Sequence, residues 1–197
     1  VSKHHTILIF ASGSGTNAEQ IIRHFSPIRN VKVAGVYTNN SSAQVIERVK
    51  EFDVPTFLFS REQLNDPYAL LAELKDKNPN LSVLAGFLWK IPPHIVEAFP
   101  NKIINIHPSL LPKFGGKGMY GRHVHQAVID AKEAESGISI HYVNSEYDEG
   151  AIIFQAKTTV DFQETPESLA QKIHKLEQQY FSKQIEKLLI PTAVSYT

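Results

Sequence analysis

The sequence predicts an α/β protein: a mostly parallel sheet with helices on both faces and an antiparallel strand pair at its C-terminal end. Three observations carry this. Short β-rich runs alternate with helix-like segments through the first half of the chain, which is the rhythm of βαβ units. A glycine-rich turn, Ser12-Gly13-Ser14-Gly15-Thr16-Asn17, joins the first strand-like run to the first helical one, where a Rossmann-like sheet binds anions. Late in the chain two strand-like runs are separated by a polar turn containing Asp148 and Gly150, which favours antiparallel pairing.

Each element has its own signal. Residues 6–11 read as the first strand and 17–25 as a helix that ends before Pro27. Residues 31–38 form the second strand and 43–52 the second helix, and 56–59 a short third strand. The next helix is expected over 67–77, with Asp66 as N-cap and Pro67 at the first helical position. Residues 81–85 read as the fourth strand, 93–98 as a short helix and 102–106 as the fifth strand. A helix is expected over 122–131 and strands over 136–143 and 151–160. Thr165-Pro166-Glu167-Ser168 opens a last helix running to about residue 189, with Thr165 as N-cap, proline next and acid in the first turn.

Composition narrows the function. A chain of 197 residues with 42% apolar content is expected as one domain over 1–197, with a loose tail from about 190. Twenty basic and twenty acidic residues cancel, so neither nucleic acid nor a membrane is an expected partner. The absence of cysteine excludes disulfides, thiol catalysis and Cys-ligated zinc. Val1-Ser2-Lys3-His4-His5 leads straight into a strand-like run without the apolar segment of a signal peptide, so a cytoplasmic location is expected.

The most informative stretch is Asn105-Ile106-His107-Pro108-Ser109-Leu110-Leu111-Pro112. Residues i and i+2 of a strand share a face, so Asn105 and His107 project together. Pro108 stops the ladder there. The crevice beyond the carboxyl ends of such strands is where ligands bind. An amide donor beside a group titrating near neutral pH suits carbonyl chemistry. Glycines of the first turn let the backbone approach an anion, although the turn is neither a full dinucleotide fingerprint nor a P-loop. Asp148, folded over the strand ends, is placed to pair with His107. Histidines also stand at 123, 125 and 141; no metal site is expected, because no complete ligand set accompanies His123-x-His125, for which loop or helix-cap hydrogen bonds are expected instead.

These residues resemble those of the phosphoribosylglycinamide formyltransferases, a branch of the formyltransferase superfamily acting in purine synthesis. The motif at 105–112 carries the resemblance, flanked by Ala85-Gly86-Phe87, Asp148-x-Gly150 and Ile152-x-x-Gln155, with the turn at 12–17 matching this branch. The similarity runs from about residue 6 to 177. It implies the formyltransferase fold, and 10-formyltetrahydrofolate as formyl donor to the amine of 5-phosphoribosylglycinamide. It also implies Asn105, His107 and Asp148 as the catalytic trio. Gly15, Thr16 and Asn17 would hold the phosphate and ribose, and Glu177 the glycinamide. Leu88, Trp89, Lys90 and Ile91, with Asn144, Tyr147 and their neighbours, would enclose the pterin. In this reading Asn105 donates to the oxyanion. His107 relays protons or, when protonated, supports the oxyanion. Asp148 positions His107 and raises its pKa. The implied partners are these small molecules, with the chain a monomer or homodimer. Two features depart from the family. Trp89 stands where arginine is common, and the stretch from Gly115 to Arg122 is longer than the usual link and is expected to act as a lid or an added substrate contact.

Overall fold

The computed structural model describes residues 4–191. Strands β1 (His5–Phe10), β2 (Val31–Thr38), β3 (Thr56–Leu58), β4 (Leu81–Leu84), β5 (Ile103–His107), β6 (Glu135–Tyr142) and β7 (Ile152–Thr159) form one sheet in the order β3-β2-β1-β4-β5-β6-β7. Pairing is parallel from β3 through β5, and antiparallel for β5 with β6 and β6 with β7. The chain therefore winds outward through β1, β2 and β3, then returns to the other side of β1. That reversal opens a crevice at the carboxyl ends of β1 and β4.

Helices cover both faces, which explains the unbroken burial of β4 and of residues 7–10 in β1. On one face α1 (Thr16–Phe25) buries Ala18, Ile21, Ile22 and Phe25, at helical spacing. It packs with α7 (Pro166–Leu189), which contributes Leu169, Ile173, Phe181 and Ile185, and Val128 of α6 (Arg122–Asp130) joins them over Ile104, Ile106, Ile138 and Ile140. Each of the Val, Leu, Ile and Phe side chains among these, fully buried, contributes about 1.5–3 kcal/mol of transfer free energy. On the other face α3 (Arg61–Asn65), α4 (Leu70–Lys77) and α5 (Pro93–Ala98) supply Leu64, Leu70, Leu74 and Ile95 against Leu8, Phe10, Tyr37 and Ile103.

Two expectations need correction. Two helices stand where one was expected: the helix expected over 67–77 starts only at Leu70, and a shorter, unexpected helix precedes it. The first, α3, begins at Ser60, whose hydroxyl accepts from Gln63 N–H while the Gln63 side chain accepts from Ser60 N–H, a capping box. Asp66 ends α3 instead of starting α4, and its carboxylate accepts from Tyr68 N–H at 2.8 Å in a local turn. The helix expected over 43–52 is α2 (Val45–Arg48) followed by a 3₁₀ turn over Lys50–Phe52. The tail beyond Pro191 lies outside the described residues.

Candidate active site

One cavity of about 830 Å³ opens at the carboxyl ends of β1, β4 and β5. Its rim is built from the turn after β1, the 84–91 segment after β4, the loop at 116–121, the 143–148 turn and the start of α7. All thirteen residues singled out from the sequence line it: Gly15, Thr16, Asn17, Leu88, Trp89, Lys90, Ile91, Asn105, His107, Asn144, Tyr147, Asp148 and Glu177.

The polar floor is set by strand register. Asn105 on β5 lies opposite His141 on β6, and His107 opposite Ser139, so all four share a face. His107 Nε2 donates to the Phe114 carbonyl at 2.7 Å. That bond commits the Nε2 proton and leaves Nδ1 as the nitrogen without a backbone partner. Nδ1 faces Asp148 Oδ2 at 3.5 Å. Asp148 is held in turn by Gly116 N–H at 2.9 Å, with His141 Nε2 3.5 Å and Asn105 Nδ2 3.4 Å from its other oxygen.

Burial pushes the His107 imidazole below its ordinary pKa, outweighing the upward pull of Asp148 and of the Phe114 carbonyl. The expected direction of the Asp148 influence is therefore present, but desolvation wins. Burial also pushes the Asp148 carboxyl up. The His141 contact, the His107 charge and the Gly116 N–H together override it and hold the carboxyl below its usual value.

The loop after β5 owes its shape to the same row of residues. Ser139 Oγ donates to Ser109 carbonyl at 2.7 Å and accepts from Leu111 N–H at 2.9 Å. Gln155, opposite Ser139 on β7, donates from Nε2 to Ser139 Oγ and to the Leu111 carbonyl. This gives Gln155 a structural reason: it pins the segment that carries Phe114 to His107.

At the other wall, α1 starts without a side-chain cap. Gly15 is its N-cap residue, with φ 75°, and a Cβ there would fall 2.7 Å from Val45 Cα. No side chain competes for the first N–H groups, which leaves them open to an anion. Asn17 Nδ2 donates to Glu177 Oε2 at 3.0 Å, and His174 Nδ1 stands 3.3 Å from the same oxygen. Ser12 joins this wall to the next: its hydroxyl donates to Asn39 Oδ1 at 2.7 Å and accepts from Leu88 N–H at 3.0 Å.

The third wall is apolar, formed by Phe87, Leu88, Trp89, Ile91 and Val143. Trp89 packs edge-on against Phe59 and Phe87, and the Arg61 guanidinium sits 4.5 Å from its ring centre. The cation absent from position 89 is thus present beside it. Lys90 Nζ lies 5.0 Å from the Tyr147 ring centre and 3.9 Å from Glu146, linking the third wall to the acidic turn.

Two residues escaped the sequence reading. His141 lies within the strand expected over 136–143, and the structure buries it on the polar floor beside Asn105. Its signal was Ser139-x-His141, two polar residues on one face of an otherwise apolar strand. His125 lines the cavity from α6, buried, with Nδ1 unpartnered; nothing in its local sequence marks it. The 116–121 loop does line the cavity, and its clearest role is to hold Asp148 through Gly116. Among the described residues no group of three or more His, Asp or Glu is placed to hold a metal.

The switch-point cavity thus has an uncapped helix start on one side and an Asn–His–Asp cluster on the other. The chain belongs to the formyl transferase family, whose profile matches residues 5–185. The phosphoribosylglycinamide formyltransferase of Bacillus subtilis is 34% identical over 186 residues, 92% of this chain and 93% of that protein. The chloroplastic phosphoribosylglycinamide formyltransferase of Arabidopsis thaliana is 37% identical over 180 residues, and the aligned part is 86% of this chain and 62% of that one. The solved phosphoribosylglycinamide formyltransferase from Bacillus halodurans superposes with a TM-score of 0.85 at 33% identity, covering 98% of this chain and all of that one.

Proposed function

We propose that this chain, as a single catalytic domain, transfers the formyl group of 10-formyltetrahydrofolate to the amine of 5-phosphoribosylglycinamide. The observation that carries the reading is the convergence of Asn105, His107 and Asp148 on the floor of the cavity, within 3.5 Å of one another through Asp148. A cavity of about 830 Å³ lies within the ~300–1,000 Å³ range of small-molecule sites. Its apolar wall suits a flat pterin, and its uncapped helix start suits a phosphate.

The folate supplies an activated formyl carbon. Attack by the substrate amine forms the new C–N bond, develops charge on the formyl oxygen and leaves a surplus proton on the incoming nitrogen. Asn105 Nδ2 donates to that oxygen, exchanging its long contact with Asp148 for a stronger one. His107, neutral and with Nδ1 free, takes the proton from the amine and delivers it to the folate nitrogen as its bond to the formyl carbon breaks. Asp148, ionised, stabilises the imidazolium formed in between. Gly15, Thr16 and Asn17 hold the phosphate and ribose. Glu177 is oriented by Asn17 and His174 toward the glycinamide. Leu88, Trp89, Lys90 and Ile91, with Asn144 and Tyr147, enclose the pterin.

The deciding experiment incubates the purified protein with 10-formyltetrahydrofolate, with and without phosphoribosylglycinamide. Tetrahydrofolate release only when the amine is present is expected. Release at the same rate without it makes the chain a hydrolase, and no release in either case ends the reading.

A further inference from the structure

The turn that opens α1 is gripped from behind by α2. Two successive carbonyls of this turn are tied there: Gly13 O accepts from Val45 N–H at 3.1 Å, and Ser14 O accepts from Arg48 Nε at 2.8 Å. In a planar trans peptide the C=O and the N–H of the next residue point in opposite directions. Anchoring Gly13 O and Ser14 O toward α2 therefore aims the N–H groups of Ser14 and Gly15 the other way. Ser14 and Gly15 line the cavity, whereas Arg48 lies outside its lining.

Arg48 is itself fixed. Its Nη1 pairs with Glu19 Oε2 at 2.6 Å, and Glu19 is held from its other oxygen by Arg23 Nε at 2.9 Å. The Arg48 hydrogen bond, with that of Arg23, keeps the Glu19 carboxyl below its usual range. Glu19 stands in the first turn of α1, so the guanidinium bridges the helix to the carbonyl just before it. Its planar fork supplies both bonds at once, which an ammonium cannot reproduce in that geometry.

We propose that Arg48 is a positioning residue for phosphate recognition: by holding the Ser14 carbonyl it aims the Gly15 N–H into the cavity, and so sets the preference for a phosphorylated acceptor. This rests on the reading that the turn takes the substrate phosphate.

The test compares wild type, Arg48→Met and Arg48→Lys, with phosphoribosylglycinamide and its dephosphorylated riboside as acceptors. One misaimed charge-assisted hydrogen bond predicts a rise of about tenfold in KM for the phosphorylated acceptor. The KM for the folate, kcat, and the efficiency with the riboside stay within about twofold. Arg48→Lys is expected to behave like Arg48→Met, and it carries the comparison if the methionine variant fails to fold. Full rescue by lysine overturns the proposal in favour of a simple charge effect. An equal loss for both acceptors, or no loss, also overturns it. A second readout needs no turnover: titration with inorganic phosphate, followed at the Gly15 amide by NMR, should saturate at about tenfold lower concentration in wild type than in Arg48→Met. If wild type transfers no formyl group, the functional reading fails. The phosphate titration still decides the role of Arg48.

Discussion

At the scale of single residues, the site is governed by which atom of each side chain is already committed. His107 spends Nε2 on a backbone carbonyl and turns Nδ1 toward Asp148, the nitrogen that the proposed proton relay uses. Asn105 has only long contacts, 3.2 Å to His141 and 3.4 Å to Asp148, so its amide is free to turn to a better acceptor. Replacing Asn105 by alanine should lower kcat by about 10²–10³-fold, the usual cost of one oxyanion donor, with little change in either KM. Steady-state kinetics checks this, and a kcat within tenfold of wild type removes Asn105 from that role. His107→Ala should lose kcat to a similar degree or more while keeping its unfolding midpoint within a few degrees. Asn105 and His107 were legible because i, i+2 spacing and a following proline leave little choice of where they point. His141 was not, because its place beside Asn105 depends on the β5–β6 register, which is a long-range property that no local pattern encodes.

At the scale of elements, the sequence spoke clearly wherever a helix or strand buries a regular face. Residues 31–38 and 93–98 match β2 and α5 in full, and Thr165 does cap α7, through a box closed by Ser168. It spoke poorly at α3, a five-residue helix that buries only Leu64. One buried residue gives no periodicity, and the neighbouring Asp66-Pro67 pair is a stronger start signal than Ser60-x-x-Gln63. The capping of α7 matters because the helix carries Ala170, Ile173, His174 and Glu177 to the cavity. Thr165→Ala should cost about 1 kcal/mol of stability, read by urea unfolding, and leave kcat nearly unchanged. A large loss of kcat at unchanged stability would show that the first turn of α7 has a more direct part in the site. The Lys90 contact with Tyr147 and Glu146 predicts a different split: Lys90→Met should raise the folate KM several-fold and spare the KM of the acceptor. Equal changes in both constants would rule out a wall-specific role.

At the scale of the whole molecule, buried histidines couple stability to pH. Burial lowers the pKa of His107 and of His125 below the ordinary 6.5. Below pH 6.5 the unfolded chain binds protons at both positions that the folded chain refuses, so stability is full above 6.5 and falls as pH drops toward the folded values. His174 acts the other way. Its hydrogen bond with Glu177 raises its pKa, so its contribution is full below 6.5 and is lost as pH rises through the raised value. Asp148 is held below 3.8; its contribution is present above 3.8 and lost as pH falls through the folded value. Urea unfolding between pH 7 and 5.5 should therefore show a decline in stability that is shallower in His125→Gln. An unchanged slope would mean that the ring is not protonated on unfolding.

The hydroxyl of Ser12 touches Asn39 behind the glycine turn and Leu88 N–H on the apolar wall. Any coupling carried by this hydroxyl would appear as a change in the dissociation constant of one substrate when the other is bound, and by reciprocity the factor is the same in both directions. Ser12→Ala is expected to bring that factor closer to one, and an unchanged factor in the variant rules Ser12 out as the link.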